Sequence, residues 1–379
     1  MARQTLHGLQ NVKAVILAGG EGKRLRPLTS RLPKPMIPLV NRPFLLHMIE
    51  YLAHHGVTDV ILAMGYLPGP IRDHFGAGAG LGVKLTYSVE EKPLGTAGAV
   101  KLLERHLTGT CIVFNGDIVT NLDLSEHLRL HRERRAQASL FLVPVDDPSP
   151  FGVVETDASG RVLAFTEKPK REDARANTIN GGCYILEPGV LAHVPPGEYH
   201  MFEHGLFPKL LQIGAPMYAY APPAYWNDVG TPASYLQVHR DLLNGVADMT
   251  GAERLPPSGV RMGQGCRVDA TARITGPVVL GNGCHIGPSV EIAGPAVLGD
   301  GCRIAAGASI RDSVLWDGVA VGESAEISAS AIASHAVIGH NVRLRGAVAG
   351  ERAQIGPGNH LPEGAVLQAG QVASPRKAV

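Results

Sequence analysis

The sequence predicts an α/β domain built on a mostly parallel, helix-covered sheet, followed by a parallel β-helix. Three observations predict it. From Val12 to about Leu142, short apolar runs alternate with helical patterns, the βαβα order of a sheet with covered faces. Farther on, the period changes. Val268, Ile274, Leu280, Ile286, Ile292, Leu298, Ile304, Ile310 and Trp316 stand six apart, with Gly and small residues between them. One aliphatic per hexad reads as a β-helix. Between the two patterns, Ala247 to Gly265 is rich in Gly, Pro and Ser. We therefore divide the chain into a first domain (1–246), a linker (247–262), a β-helix (263–370) and a tail (371–379).

Each element follows from local pattern. Val12 to Leu17, Val57 to Met64, Val83 to Val89, Cys111 to Asn115 and Ala138 to Val145 are apolar runs of strand length. Pro43 to His55, Thr96 to His106 and Leu124 to Ala136 have helical spacing. Thr96 is expected to cap the second helix, and Ser125 or Asp123 the third. Gly152 to Glu155 and Arg161 to Thr166 read as a hairpin around Ala158-Ser159-Gly160, and Thr178 to Ile185 as a further strand. Phe202 to Ile213 reads as a helix despite Pro208. Trp226 to Pro232 reads as a turn opening a helix that runs to about Asn244, with Thr231 as its cap and Pro232 at its first position. Cys266, Cys284 and Cys302 are 18 residues apart. They are expected to stack on successive coils about 4.8 Å apart, as reduced thiols. The hexad register loosens after Trp316 and resumes near Ile338-Gly339 and Leu344.

Composition narrows the function classes. A chain of 379 residues exceeds the usual single domain. Only 18% of residues are charged and the net charge is +1, so no patch for nucleic acid or an anionic membrane is implied. The run Arg129 to Arg135 fits a solvated helix face. The opening MARQTLHGLQN lacks an apolar signal region, and no stretch of ~18 apolar residues marks a membrane span. The five cysteines form no C-x-x-C pair. They read as reduced thiols of a cytoplasmic protein.

The chemistry gathers around Val12 to Pro38. A strand ends in Leu17-Ala18-Gly19-Gly20-Glu21-Gly22-Lys23-Arg24. Small residues let backbone N–H groups approach phosphate. Lys23, Arg24, Arg26 and Lys34 add cations, which suits a nucleoside triphosphate. The glycines do not fit a dinucleotide fingerprint, and Arg24 stands where a P-loop needs Ser or Thr. Asn115-Gly116-Asp117 places a carboxylate at the strand ends, where ligands of such sheets bind. Asp228 is a second candidate. Mg²⁺ takes one or two carboxylates plus phosphate oxygens. Taken alone, either Asp reads first as a turn or cap residue. Phe165-Thr166-Glu167-Lys168-Pro169 offers an acceptor for sugar hydroxyls and a donor for phosphate; alone, it reads as an exposed salt-bridged turn.

Leu17 to Thr29 (L-A-G-G-E-G-K-R-L-R-P-L-T), followed by L-P-K-P-M, resembles the sugar-phosphate nucleotidyltransferases, or nucleotide-sugar pyrophosphorylases. Lys23 stands where that family's loop has Thr or Ser. The resemblance implies a Rossmann-like mixed sheet and a left-handed hexapeptide β-helix. It also implies a reaction in which a sugar 1-phosphate attacks the α-phosphorus of a nucleoside triphosphate and pyrophosphate leaves. It assigns Asp117 and Asp228 to Mg²⁺. Leu17 to Arg24, with Pro93, Gly95 and Thr96, would bind the nucleotide. Arg24 and the loop amides would hold the pyrophosphate, and Lys34 and Lys168 would flank the reacting phosphates. Glu167 would meet the sugar and Lys168 its phosphate. Asn115, Gly116, Gly152 and Asn180 would complete that pocket.

Glu90 lies where thymidylyl and uridylyl relatives carry Gln. Guanine presents two adjacent donors, which a carboxylate accepts in parallel. A carboxylate facing a pyrimidine carbonyl would oppose two acceptors, a mismatch that closed sites reject strongly. GTP is therefore expected, read by Glu90, with Glu91 the fallback. Glu90 to Gly98 (E-E-K-P-L-G-T-A-G) also resembles mannose-1-phosphate guanylyltransferases. Glucose or a heptose, and uracil or thymine, stay open. The β-helix implies a homo-oligomer. An acyltransferase using His285, His335 or His340, and a silent regulatory subunit, are the other classes. Lys34, Asp117, Lys168 and Asp228 stand against the last.

Overall fold

The computed structural model describes residues 9, 11–248 and 259–374. Residues 249–258 of the expected linker, 375–379 of the expected tail and most of the N-terminal segment lie outside them. The chain packs as two compact units: Met1–Gly20 with His47–Trp226, and Glu21–Leu46 with Asn227–Val379.

The first unit is built on a nine-stranded mixed sheet. Its strands are β1 (Lys13–Leu17), β2 (Asp59–Met64), β3 (Lys84–Val89), β4 (Cys111–Asn115), β5 (Ala138–Pro144), β6 (Gly152–Thr156), β7 (Val162–Glu167), β8 (Thr178–Leu186) and β9 (Met217–Tyr220). The order is β7-β6-β8-β4-β1-β2-β3, with β5 on β8 and β9 on β5. β1 lies parallel between β2 and β4. From β8 onward the pairing turns largely antiparallel, so half of the sheet follows the parallel expectation. Helices α1 (Phe44–His54), α2 (Pro68–Phe75), α3 (Gly95–Leu102), α4 (Leu124–Glu133) and α5 (Phe207–Gln212) connect the strands. Val15, Val113, Leu140 and Tyr184 are fully buried between the sheet and its cover.

Three local expectations change. Thr96 is not the cap of α3. Leu94 holds that position without a side-chain bond, and the Thr96 hydroxyl instead accepts from the Phe202 amide at 2.9 Å. Gly95, at φ +73°, makes the turn by itself. Helix α2 has no counterpart among the expected elements, because Pro68, Gly69 and Pro70 hide its pattern. Trp226–Asp228 is a short strand rather than a turn. Asp123 is the cap of α4, accepting from Ser125 and Glu126 amides.

In the second unit, three parallel sheets of seven, seven and five strands coil into a parallel β-helix. Arg267 pairs with His285 and His285 with Arg303, an 18-residue coil. Arg303 then pairs with Ala320, and Ala320 with Val337, at 17 residues. In these shorter coils one residue is lost, always just before the same sheet, and the last coil returns to 18. The inner series therefore passes from Ile310 to Leu315, and Leu315 lies under Leu298. Trp316 is thereby displaced from the lumen series, which corrects its place in the hexads. Cys266, Cys284 and Cys302 stack as expected, with Arg267 N–H donating to the Cys284 carbonyl and His285 N–H to that of Cys302. All five cysteines are unpaired. No helix among the described residues is long and apolar enough to cross a membrane.

Helix α6 (Pro232–Leu243) packs on this coil. Thr231 and Ser234 close its capping box. The buried Tyr235 hydroxyl accepts from Trp316 Nε1 at 2.8 Å and donates to the Pro38 carbonyl at 2.6 Å. His239 Nε2 accepts from the Val40 amide at 3.2 Å. Arg240 makes two 2.7 Å bonds to Asp312, and Asn41 Nδ2 donates to the Leu298 carbonyl at 2.7 Å. The Glu21–Leu46 segment is thus tied to the β-helix. Tyr235→Phe removes both hydroxyl bonds and leaves a buried indole N–H without a partner. It should cost about 1–3 kcal/mol in urea unfolding; an unchanged midpoint would refute the role of this hydroxyl.

Candidate active site

The parallel register of β1 and β4 sets Leu17 beside Asn115, so the loops after both strands leave from one rim. Gly116 N–H donates to the Leu17 carbonyl at 3.0 Å. A Cβ on Gly116 would collide with that carbonyl, so this position tolerates only glycine. Asn115 Oδ1 is buried without a hydrogen-bond partner among the described residues. It is an acceptor waiting for a donor at the rim. Gly116 is buried and Asp117 half-buried.

Glu90 follows β3 directly, at the same rim. Its Oε2 accepts from the Leu94 amide at 2.8 Å. A Cβ on Gly19 would stand 3.0 Å from its Oε1, and one on Gly65 3.1 Å. The carboxylate thus faces bare backbone on both neighbouring loops. Burial pushes its carboxyl above the usual range, against the Leu94 N–H. Glu91, Lys92 and Pro93 are exposed, which favours Glu90 over Glu91 as the enclosed carboxylate.

A second group gathers on the β6–β8 side. A Cβ on Gly152 would stand 2.8 Å from Glu167 Oε2 and 2.7 Å from the Phe165 ring. Glu167 Oε1 is 3.0 Å from Lys168 Nζ, and the Lys168 side chain is 66% exposed. Lys168 sits at φ +47°, a strained conformation for a residue with a Cβ. Asn180 Nδ2 donates to Tyr184 Oη at 2.7 Å, and its Oδ1 accepts from Gly182 N–H at 3.1 Å. Trp226 Nε1 donates to the Gly181 carbonyl at 2.9 Å, and its ring meets Phe151 edge-on at 5.6 Å.

The second unit carries the cationic part. Gly22, at φ +61°, lies against Thr29 and Lys34, and Thr29 Oγ1 donates to the Gly22 carbonyl at 2.8 Å. Arg24 Nη2 is 3.5 Å from Asp228 Oδ2, and Lys34 Nζ is 3.9 Å from Oδ1. Lys34 is only 8% exposed, which is rare for an ammonium without charged company. Lys23 and Arg26 point outward and pair with Glu21. Arg24, Lys34 and Asp228 therefore come together, while Lys23 stands apart.

Asp117 in the first unit and Asp228 in the second each offer hard carboxylate oxygens, the donor type that Mg²⁺ takes. No group of three or more His, Cys, Asp or Glu among the described residues could hold an ion alone. One or two carboxylates completed by phosphate oxygens is the pattern Mg²⁺ prefers. A different constellation also appears: His131 Nδ1 is 2.8 Å from Ser139 Oγ, and its Nε2 3.2 Å from Glu187 Oε1. Ser139 and His131 are 3% and 2% exposed. Glu187 reaches the surface at 40% exposure, but Ser139 and His131 are buried, so the set offers no nucleophile to a substrate.

Tyr184, Glu203 and Gly65 escaped the sequence reading, and none of them carries a local signal.

Residues 13–245 match the family model described as nucleotidyl transferase. The chain belongs to the nucleotidyltransferase family. Residues 258–375 match the model described as the EIF2B subunit epsilon LbH domain, so the β-helix is left-handed. The chain is similar to a mannose-1-phosphate guanylyltransferase of Mycobacterium tuberculosis (strain ATCC 25618 / H37Rv). They are 43% identical over 238 residues, 62% of this chain and 66% of the relative. A UTP–glucose-1-phosphate uridylyltransferase of Synechocystis sp. (strain ATCC 27184 / PCC 6803 / Kazusa) is 37% identical over 247 residues, 62% of this chain and 64% of the relative. The chain thus spans just under two thirds of the length of these relatives. The structure of HddC from Yersinia pseudotuberculosis complexed with GMP-PN is similar at a TM-score of 0.52 and 31% identity. That match covers 60% of this chain and 97% of HddC.

In this nucleotidyltransferase, a Cβ on Gly230 would stand 2.7 Å from Arg24 Nη2 and 2.9 Å from Asp228 Oδ2. Gly230→Ala should push the flexible guanidinium off Asp228 with little loss of stability. The expected midpoint shift is under roughly 3 °C. A crystal structure of the variant that retains the Arg24–Asp228 pair would refute this.

Proposed function

We propose that this nucleotidyltransferase moves a guanylyl group from GTP to mannose 1-phosphate, forming GDP-mannose and releasing pyrophosphate. The observation that carries the base is Glu90: an enclosed carboxylate, oriented by the Leu94 amide, beside two glycines. Its free lone pairs suit the adjacent N1–H and 2-amino donors of guanine, and oppose the carbonyl edges of uracil or thymine. The names of the guanylyltransferase relative and of the GMP-PN complex support the same base. The uridylyltransferase relative supports a second reading, UTP with glucose 1-phosphate.

An oxygen of the sugar phosphate attacks the α-phosphorus in line. The bond to the bridging oxygen breaks, and pyrophosphate leaves with that electron pair. No side-chain nucleophile is needed, so positioning and charge do the work. Backbone amides of Gly19 to Gly22 would cradle the phosphates, and Arg24 would hold the departing pyrophosphate. Lys34 and Lys168 would neutralise the reacting phosphates. Glu167, Asn180 and the Gly152 backbone would receive the pyranose. Asp117 and Asp228 would hold Mg²⁺, which supplies Lewis-acid charge and a template when bound. Exposed Val260, Met262 and Val268 on the first coil support self-association through the β-helix as part of the same proposal.

Pyrophosphate release tests the reaction, with each of five nucleoside triphosphates against mannose or glucose 1-phosphate. Strong release is expected with GTP and mannose 1-phosphate, and chelation of Mg²⁺ should abolish it. Release chiefly from UTP or dTTP would overturn the base assignment and leave the reaction. Glu90→Gln should cut the preference for GTP over dTTP by at least about tenfold. An unchanged preference would remove Glu90 from base recognition.

A further inference from the structure

Glu203 is a carboxylate to which the reaction above gives no task. It stands in a π-helical turn, Phe202–Leu206, immediately before α5. Such turns are rare and recur at functional sites. Two hydroxyls reach it from different segments. Tyr184 Oη donates to its Oε1 at 3.3 Å, and Thr96 Oγ1 to its Oε2 at 3.4 Å.

Each hydroxyl has one proton, and an ionised carboxylate only accepts. With both protons directed at Glu203, both oxygens turn their lone pairs outward. Tyr184 Oη then accepts from Asn180 Nδ2 at 2.7 Å, and Thr96 Oγ1 from the Phe202 amide at 2.9 Å. Asn180 Oδ1 accepts from Gly182 N–H, so the amide is held at both ends. The direction of this chain of bonds is set at both ends, by Gly182 N–H as an obligate donor and by Glu203 as the terminal acceptor. Tyr184 is fully buried and cannot turn to water instead. Burial, with Glu167 nearby as a weaker cause, raises the Glu203 carboxyl, and the two donated protons offset that cost.

The two arms are not equally dependent on it. Thr96 has further anchors in the Phe202 amide and in Met201, whose Sδ lies 3.5 Å from the Thr96 amide. Asn180 Nδ2 is oriented through Tyr184. We propose that Glu203 is a positioning residue for the sugar 1-phosphate, acting through Tyr184 on the Asn180 amide. Together with Gly182 N–H at the Oδ1 end, it holds the face of that amide that meets the pyranose hydroxyls. This inference rests on the assignment of Asn180 to the sugar in the reaction proposed above.

Glu203→Gln keeps the shape but replaces one acceptor by a donor, so one hydroxyl must reverse. The expected result is a rise of about tenfold in KM for the sugar 1-phosphate, with KM for the nucleoside triphosphate within twofold of wild type. Tyr184→Phe should reproduce the sugar effect. The double variant should be no worse than about twofold beyond either single change, because both act through one relay. Unchanged kinetics, equal rises in both KM values, or multiplying effects in the double variant would overturn the proposal. Calorimetric titration of mannose 1-phosphate and glucose 1-phosphate into each variant reads the same ratio without turnover. Wild-type protein that binds a sugar 1-phosphate but releases no pyrophosphate would refute the reaction, while the affinity ratio would still decide the role of Glu203.

Discussion

The parallel pairing of β1 between β2 and β4 is the constraint on which the first unit's ligand chemistry depends. It ends three strands at one level, so their loops crowd a single rim. Crowding at backbone distance is why Gly19, Gly65 and Gly116 stand there: a Cβ on any of them would meet a carbonyl, an amide or the Glu90 carboxylate.

The cationic segment has a different support. Glu21–Leu46 packs with the β-helix and α6 rather than with the sheet that precedes it in sequence. Tyr235 bridges Trp316 and the carbonyl of Pro38, four residues beyond Lys34. Asp228 stands just before the capped start of α6. Arg24, Lys34 and Asp228 are therefore held by the unit that contains the β-helix. A missing residue in one coil displaces Trp316 outward and makes this bridge possible. The β-helix and the cationic segment thus belong to one compact unit.

Two carboxylates of the first unit share one electrostatic character. Glu90 and Glu203 are both pushed up by burial, and each is offset by donors: a backbone amide for one, two hydroxyls for the other. Partly desolvated acceptors of this kind discriminate by what they refuse, since a ligand lacking the matching donors leaves them unpaired. That property fits a site that must tell one nucleobase, and one pattern of sugar hydroxyls, from another.

Local pattern determined much of this protein. The strand runs, the Gly-rich loop, the capping box at Thr231 and the hexads are all short-range regularities, and the corresponding elements formed where those regularities lie. The 18-residue spacing of three cysteines correctly implied their stacking, because a coil's length is a covalent count. Other features were decided only by tertiary structure. Thr96 looked like a cap but is used by Phe202 and Glu203, which lie about a hundred residues away in sequence. Glu203 and Tyr184 carry no motif, since a buried relay is defined by what meets across the fold. The grouping of Lys34 with the β-helix depends on side chains separated by some two to three hundred residues. Periodicity records which face of an element is buried, but not which distant element buries it.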